Sequence, residues 1–250
     1  MSKVQQNWPP QVIDDLTIRF PWYTDVMPTT THELVMEGGA AFGTGDHPTT
    51  RLCMRWLRRH AKDKTVIDIG TGSAILAMSA IKSSTLTLTL TLTLTLTLTL
   101  SFTRYGARSP TVGTDIDLDS LVCARRNCAH NKVQVELYQV LDMDDDGRFA
   151  NTLRGGADES IKHSFPPVSA LDGRVFDVLV ANILAPILIQ LAPEVERWLA
   201  AGGIFALSGV VGPQADSVVD FYRQLPSLEG VRVEEDEDGW VLITGRKKME

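Results

Sequence analysis

Apolar positions along the chain fall into short continuous runs and helical spacings that alternate with each other. Residues 65–69 form an apolar run of strand length, followed by a glycine-bearing turn and an apolar helix over 74–81. The same alternation returns downstream as strand 111–115, helix 119–131, strand 134–138, strand 176–181, helix 185–199, strand 204–207 and helix 214–223. Ahead of this series, Leu52, Trp56 and Leu57 mark one face of a helix over 48–61, with proline suited to its first turn. Residues 16–20 and 32–36 have the length and composition of short strands. Strands alternating with helices predict a doubly wound α/β fold, a mostly parallel sheet covered on both faces. The closing pair, 231–235 and 241–246, has no helix between its members and predicts an antiparallel C-terminal edge.

Two segments interrupt the pattern. Residues 85–100 are an unbroken Thr-Leu repeat, whose period of two would place every leucine on one face of a strand. One strand of that length would span roughly 50 Å at ~3.3 Å per residue, far beyond the usual strand. The tract is therefore expected to fold back as a hairpin or to stay irregular. It reads as a low-complexity insertion outside the chemistry, in preference to a partner-binding β segment. The second interruption, 142–173, is polar and rich in Asp and Gly, and is expected to be a surface loop.

The 250 residues suit one large domain or one domain with appendages, and a hydrophobic fraction of 44% is ample for a core. A net charge of −7 argues against charge-driven nucleic-acid binding and fits a small molecule or a basic protein as substrate. Cys53, Cys123 and Cys128 form no CxxC pair and no zinc-ligand spacing, which predicts reduced, mostly buried thiols and no metal site. The N-terminus lacks the apolar core of a signal peptide, and no apolar run is long enough to predict a membrane span. Oligomeric state is not readable from these features.

The central chemical signal is Asp68-Ile69-Gly70-Thr71-Gly72-Ser73-Ala74, set between a strand and a helix. Glycines allow a ligand to approach backbone where a side chain would clash, and the helix start supplies unpaired N–H groups. Asp115 ends the next strand, 45 positions after Gly70, or 23 once the 22 residues 83–104 are set aside. An acidic residue about 20 positions after such a loop is placed to accept hydrogen bonds from ribose hydroxyls. The competing role for Asp115, capping a helix, is one that Asp117 or Asp119 can fill. A nicotinamide site would need glycine or alanine where Ile75 stands. That failure, with Asp68 ahead of the loop, favours S-adenosylmethionine.

Ala41-Phe42-Gly43-Thr44-Gly45-Asp46-His47-Pro48-Thr49-Thr50 resembles the signature of the PrmA family, which methylates the eleventh protein of the large ribosomal subunit. Asn182-Ile183-Leu184-Ala185 is similar to that family's NILA motif, Leu207-Ser208-Gly209 to its later LSG, and the ending from Gly239-Trp240 to Lys248 matches as well. The resemblance runs from about Trp8 to Lys248 apart from the two interruptions. It implies a class I, Rossmann-like methyltransferase with a seven-stranded sheet, and S-adenosylmethionine held by Thr50, Gly70, Gly72, Asp115 and Asn182. Asn182 would also position the substrate amine. Thr50, in the first turn of its helix, would hold the methionine carboxylate through hydroxyl and backbone donors. His47 is either a base or, more in keeping with its place beside Pro48, a structural residue.

The implied division is an extension over 1–40 and a catalytic domain over 41–248, carrying the insertion 83–104 and the polar loop 142–173. Ala74 stands where the loop's third glycine is usual, and only about 40 residues precede the signature where the family carries a substrate domain. The implied reaction is transfer of methyl groups to lysine or N-terminal amines of a basic protein, a ribosomal protein foremost, with no direct nucleic-acid or membrane partner. The expected compartment is the cytoplasm, with an organelle as the alternative. Two other readings are a methyltransferase acting on another protein or small molecule, and a non-catalytic adenosylmethionine-binding module.

Overall fold

The computed structural model describes residues 9–23, 30, 32–37, 44–82, 87–92, 98–103, 110–140, 142–143, 149–150 and 165–249. The first three strands, β1 (Gln11–Ile13), β2 (Leu16–Arg19) and β3 (His32–Val35), form a small sheet of their own. Helix α1 (Pro48–His60), strand β4 (Val66–Ile69) and helix α2 (Ile75–Lys82) follow, then β5 (Thr87–Leu92) and β6 (Leu98–Thr103). Next come β7 (Thr111–Asp115), α3 (Leu118–His130), β8 (Glu136–Gln139), β9 (Asp142–Met143) and β10 (Phe149–Ala150). The chain closes with β11 (Phe176–Asn182), α4 (Ala185–Gln190), α5 (Ala192–Trp198), β12 (Leu199–Val211), α6 (Gly212–Arg223), β13 (Leu228–Glu237) and β14 (Trp240–Lys247).

Seven of these strands make the main sheet, in the order β13-β14-β12-β11-β4-β7-β8. The run from β12 to β8 is parallel, and β14 alone is reversed against both of its neighbours. The doubly wound sheet and its antiparallel C-terminal edge are therefore as the hydrophobic pattern predicts.

Strand side chains alternate between the two faces, and the sheet sorts them into two cores. Val66, Val178 and Val180 pack with α1, α2 and α3. Ile67, Ile69, Leu179 and Ala181 pack with α4, α5 and α6. Every residue of β4 is buried, as a central parallel strand with both faces covered requires. The β1–β3 sheet adds Ile13, Leu16, Ile18 and Leu34 to the first core.

Three elements depart from expectation. The helix expected over 185–199 breaks at Leu191 into α4 and α5, because Pro193 lacks the N–H that a continuous helix would use. Strand β12 runs well beyond 204–207, with an irregularity in its pairing to β14 between Leu207 and Val210. The stretch 142–173 is not surface loop to its end. A 3-10 turn at Val168–Leu171 buries Val168 and Leu171 in one core, while Phe165 enters the other. Residues 144–148 and 151–164 lie outside the described residues, as do Ala41, Phe42 and Gly43 of the signature.

Of the two conformations open to the Thr-Leu tract, the structure has the hairpin. β5 and β6 pair antiparallel from Thr87 opposite Thr103 to Leu92 opposite Leu98, and they pair only with each other among the described residues. The tract leaves the end of α2 and leads to the start of β7, at the amino end of the parallel strands. Deleting 83–104 should therefore leave the main sheet intact and reduce aggregation, because the tract is an uncharged, proline-free β segment. Unfolding temperature and light scattering of the deletion variant check this. Loss of the cooperative transition would show that the hairpin supports the sheet.

Candidate functional site

The chain goes from β4 to β7 and β8 on one side, then returns to place β11 on the other side of β4. Such a switch in direction opens a crevice at the carboxyl ends of the strands, where open α/β sheets bind ligands. A cavity of ≈ 600 Å³ lies there, and Thr50, Gly70, Gly72, Asp115 and Asn182 all line it. Five positions spread over more than 130 residues of sequence thus meet at one place.

The turn between β4 and α2 explains how. The sign of φ alternates along it, with Gly70 at +69°, Gly72 at +54° and Ala74 at +64°. At Gly70 a Cβ would stand 2.6 Å from Ile183 Cγ2, so only glycine fits beneath the residue that follows Asn182. Ala74 raises a different issue from the one its sequence position suggests. Its methyl is fully buried, but its backbone is left-handed, a conformation costing a non-glycine residue roughly 1–2 kcal/mol.

Two carboxyl groups hold this turn. Asp68, fully buried, accepts through Oδ2 from Thr71 Oγ1 at 2.7 Å and from the Ala77 N–H at 3.2 Å. Gly113 on the neighbouring strand makes room for that pair, since a Cβ there would lie 2.8 Å from Thr71 Oγ1. Burial pushes the Asp68 carboxyl up to about 7, against the Thr71 and Ala77 bonds and with help from the nearby Asp115 charge. Asp115 accepts from the Gly72 N–H at 2.8 Å and from the Asp117 N–H at 2.9 Å, and burial raises it against these bonds and one from the Ile116 N–H. Asp117 fills the capping role on α3, accepting from the N–H groups of Asp119 and Ser120, which leaves Asp115 at the cavity.

The third wall is the start of α1. His47 is its N-cap, with Nδ1 accepting from the Thr49 N–H, and its ring meets Trp240 edge-on at 4.8 Å. This is the structural role open to it in the sequence. The Thr50 N–H donates to the His47 carbonyl at 3.1 Å, so the expected backbone donor at Thr50 is already engaged. Its hydroxyl accepts from Asn182 Nδ2 at 3.3 Å, joining the two positions directly. Gly209, at φ +86°, completes the corner, because a Cβ there would run into the Ile183 carbonyl.

Sequence reasoning did not single out Ile116, Val140 or Trp240, which also line the cavity. Ile116 is 61% exposed and Leu184 67%, an apolar rim on the open side. The signal for Gly113 was present as an isolated glycine within a strand run, a mark of close backbone approach.

Charge fixes α1 against the hairpin that carries Trp240. Arg51 and Arg55 bond Glu237, Arg59 bonds Glu235, and Arg51 also bonds the Asp46 carbonyl. Arg51 and Arg55, one helical turn apart, thus converge on Glu237, and Arg59, a turn further on, meets Glu235 two residues away along the strand. Burial works against the Glu237 charge, yet its Arg55 and Arg51 bonds outweigh burial and hold the carboxyl below its usual value.

The profile of a family described as "Ribosomal protein L11 methyltransferase (PrmA)" matches residues 1–88 and 97–248. A ribosomal protein L11 methyltransferase of Pseudomonas fluorescens is 35% identical over 216 residues, covering 86% of this chain and 56% of that protein. The counterpart from Chromohalobacter salexigens is 37% identical over 214 residues, 85% of this chain and 55% of its own length. The chain thus spans a little over half the length of these curated relatives. Among solved structures, ribosomal protein L11 methylase from Lactobacillus delbrueckii subsp. bulgaricus superposes with a TM-score of 0.66 at 25% identity, covering 96% of this chain and 100% of that one. A methyltransferase from Pyrococcus furiosus shares the fold, with a TM-score of 0.55, 17% identity and 86% and 90% of the two chains covered.

Asp68 gives the site a pH signature. The folded chain binds this proton more tightly than the unfolded chain does, so the group adds stability below its ordinary value of 3.8 and loses it as pH rises through about 7. Asp68→Asn should remove that slope. Unfolding temperatures of both proteins between pH 4 and pH 8 check it, and equal slopes would mean that the carboxyl is ionised throughout.

Proposed function

The chain belongs to the ribosomal protein L11 methyltransferase (PrmA) family, and from that footing we propose that it transfers methyl groups from S-adenosylmethionine to amino groups of a ribosomal protein. The observation that carries this reading is the convergence of Thr50, Gly70, Asp115 and Asn182 on one cavity at the switch point of the sheet.

The residues present fit the cofactor. Asp115 is the sole carboxylate among the cavity's described lining residues, and beyond its bonds from the Gly72, Asp117 and Ile116 N–H groups it keeps acceptor capacity for a ribose hydroxyl. Ile116 and Val140 offer apolar surface beside it for an adenine ring. The bare backbone at Gly70 permits close approach, and Thr50, accepting from Asn182, retains a hydroxyl donor for a carboxylate. When bound, S-adenosylmethionine supplies an already activated methyl group, so alignment dominates the rate.

The chain's part is then to orient and desolvate the acceptor. Asn182 sits at the end of β11 with its amide tied to Thr50, placed to accept a hydrogen bond from an amine through its oxygen. Ile183, Leu184, Ile187 and Trp240 surround that position with apolar surface. A lysine amine has a free pKa of about 10.4, and desolvation favours the neutral, nucleophilic form. No general base is assigned. Lysine or N-terminal amines are the acceptors this arrangement suits, and the net charge of −7 favours a basic protein that carries them. The compartment that follows from a ribosomal substrate is the cytoplasm or a ribosome-containing organelle.

We read 1–40 as an extension and 83–104 as an insertion into the catalytic domain. The break in the family match between residues 88 and 97 supports the second of these.

Methyl transfer from labelled S-adenosylmethionine to purified ribosomal proteins tests the function, with label in one amine-bearing protein as the expected result. Label in none of them, despite cofactor binding, would remove the ribosomal substrate. Asp115→Ala should weaken cofactor binding by on the order of 2–3 kcal/mol, as bonds to a charged acceptor are lost. It should also lower the unfolding temperature, because Gly72 and Asp117 lose their partner. Asn182→Ala should reduce turnover more than cofactor affinity, measured by single-turnover rates beside calorimetry. Equal losses would make Asn182 a cofactor-binding residue only.

A further inference from the structure

Asn127 on α3 and Asn131 at its C-cap, one turn apart, are both buried and both bond backbone outside the helix. Asn131 pairs with Val35 as a strand would, accepting from its N–H at 2.9 Å and donating to its carbonyl at 2.7 Å. Asn127 does something different. Its Oδ1 accepts from the Glu37 N–H at 2.8 Å, and its Nδ2 donates to the Ser73 carbonyl at 3.0 Å. An N–H on one side and a carbonyl on the other admit only one orientation of the amide.

The Ser73 carbonyl belongs to the peptide that enters Ala74, the left-handed residue of the turn. That peptide's own N–H donates to the Thr71 carbonyl at 2.8 Å. Both ends of the peptide are thus tied in the orientation that forces Ala74 to positive φ. Turning the peptide over would relieve Ala74 but would strand a buried Asn127 donor. The strained conformation persists because its surroundings over-determine it.

We propose that Asn127 is a positioning residue for the cofactor loop: its amide holds the Ser73–Ala74 peptide in the orientation that shapes the turn at Gly70 and Gly72, and it does so because alanine occupies position 74. Without Asn127, the turn relaxes toward an unstrained form that fits the ligand less well. Glycine at position 74 adopts the left-handed form without strain, so Ala74→Gly should make Asn127 dispensable. The affinity part of this inference rests on the adenosylmethionine reading above; its stability part does not.

The test is a double-mutant cycle of Asn127→Ala and Ala74→Gly, read by calorimetry with S-adenosylhomocysteine and by unfolding of the unliganded protein. Asn131→Ala serves as the control of similar burial. Asn127→Ala should weaken binding roughly five- to tenfold, and the double variant should recover most of that loss. Asn131→Ala should lower the unfolding temperature with affinity close to wild type. In the unliganded protein, Ala74→Gly should raise the unfolding temperature less in the Asn127→Ala background, where the peptide has already turned. Should Asn127→Ala fail to fold, Asn127→Asp keeps the acceptor for Glu37, drops the donor, and enters the same cycle. Equal effects of Ala74→Gly in both backgrounds, or undiminished affinity without the Asn127 donor, would overturn the proposal. Absence of binding by the wild-type chain would instead remove the cofactor reading, and the unfolding cycle would still decide the role of Asn127.

Discussion

The ligand-facing end of this sheet depends on one turn, residues 70–74, in which the backbone passes three times through positive φ. A chain does not hold that shape by itself. Here it is gripped from three directions by buried or half-buried polar groups. Asp68 holds Thr71 and Ala77, Asp115 holds Gly72, and Asn127 holds the Ser73 carbonyl. Each grip comes from a different element of the same half of the molecule. The turn is therefore a product of tertiary structure, and its glycines only permit it. Electrostatics add tension, because burial disfavours the charge on both Asp68 and Asp115, and the Asp115 charge further disfavours that of Asp68.

The opposite wall is set by a different kind of interaction. Helix α1 carries His47 and Thr50, and the β13–β14 hairpin carries Trp240. What locks them is a row of partly exposed ion pairs between Arg51, Arg55 and Arg59 and the acids Glu235 and Glu237. Single surface pairs contribute little, but these form a network in which Arg51 and Arg55 share Glu237. Apolar packing holds α1 against the sheet, and the ion pairs tie its register to the hairpin. That register places the His47 ring against Trp240 and the Thr50 hydroxyl against Asn182.

Much of the architecture was legible because it rests on periodicity. The parallel strands are apolar runs, and α1 and α6 have one-sided faces, so their bounds fall within a few residues of expectation. The broken helix at Leu191 was less legible, since Pro193 is tolerated in a first turn and the apolar spacing continues through it. Five of the cavity residues were legible: Gly70, Gly72 and Asp115 from residue type and spacing, Thr50 and Asn182 only through the family resemblance. Trp240, Ile116 and Val140 were not, because an apolar wall uses residues that look like core. Thr50 lines the cavity, yet its N–H is engaged by His47, a detail of capping that sequence spacing does not encode. Asn127 was invisible for a related reason: an asparagine inside a helix pattern gives no sign of which distant carbonyl it meets.

Strand β14 is the one strand of the main sheet that runs against both neighbours. In the parallel half, the ligand end receives only strand exits, and those of β4, β7, β11 and β12 each lead into a helix. Reversal gives β14 its entrance at that same end, reached from β13 by the two-residue turn Asp238-Gly239, both at positive φ. A tight hairpin has no helix to carry and no crossover to preserve. Its tip is nonetheless tied into the fold: Glu237 and Asp238 bond Arg51, and the Gly239 carbonyl accepts from the Gly212 N–H. By its direction alone, β14 brings Trp240 to the cavity while the glycine turn is held from β4, β7 and α3.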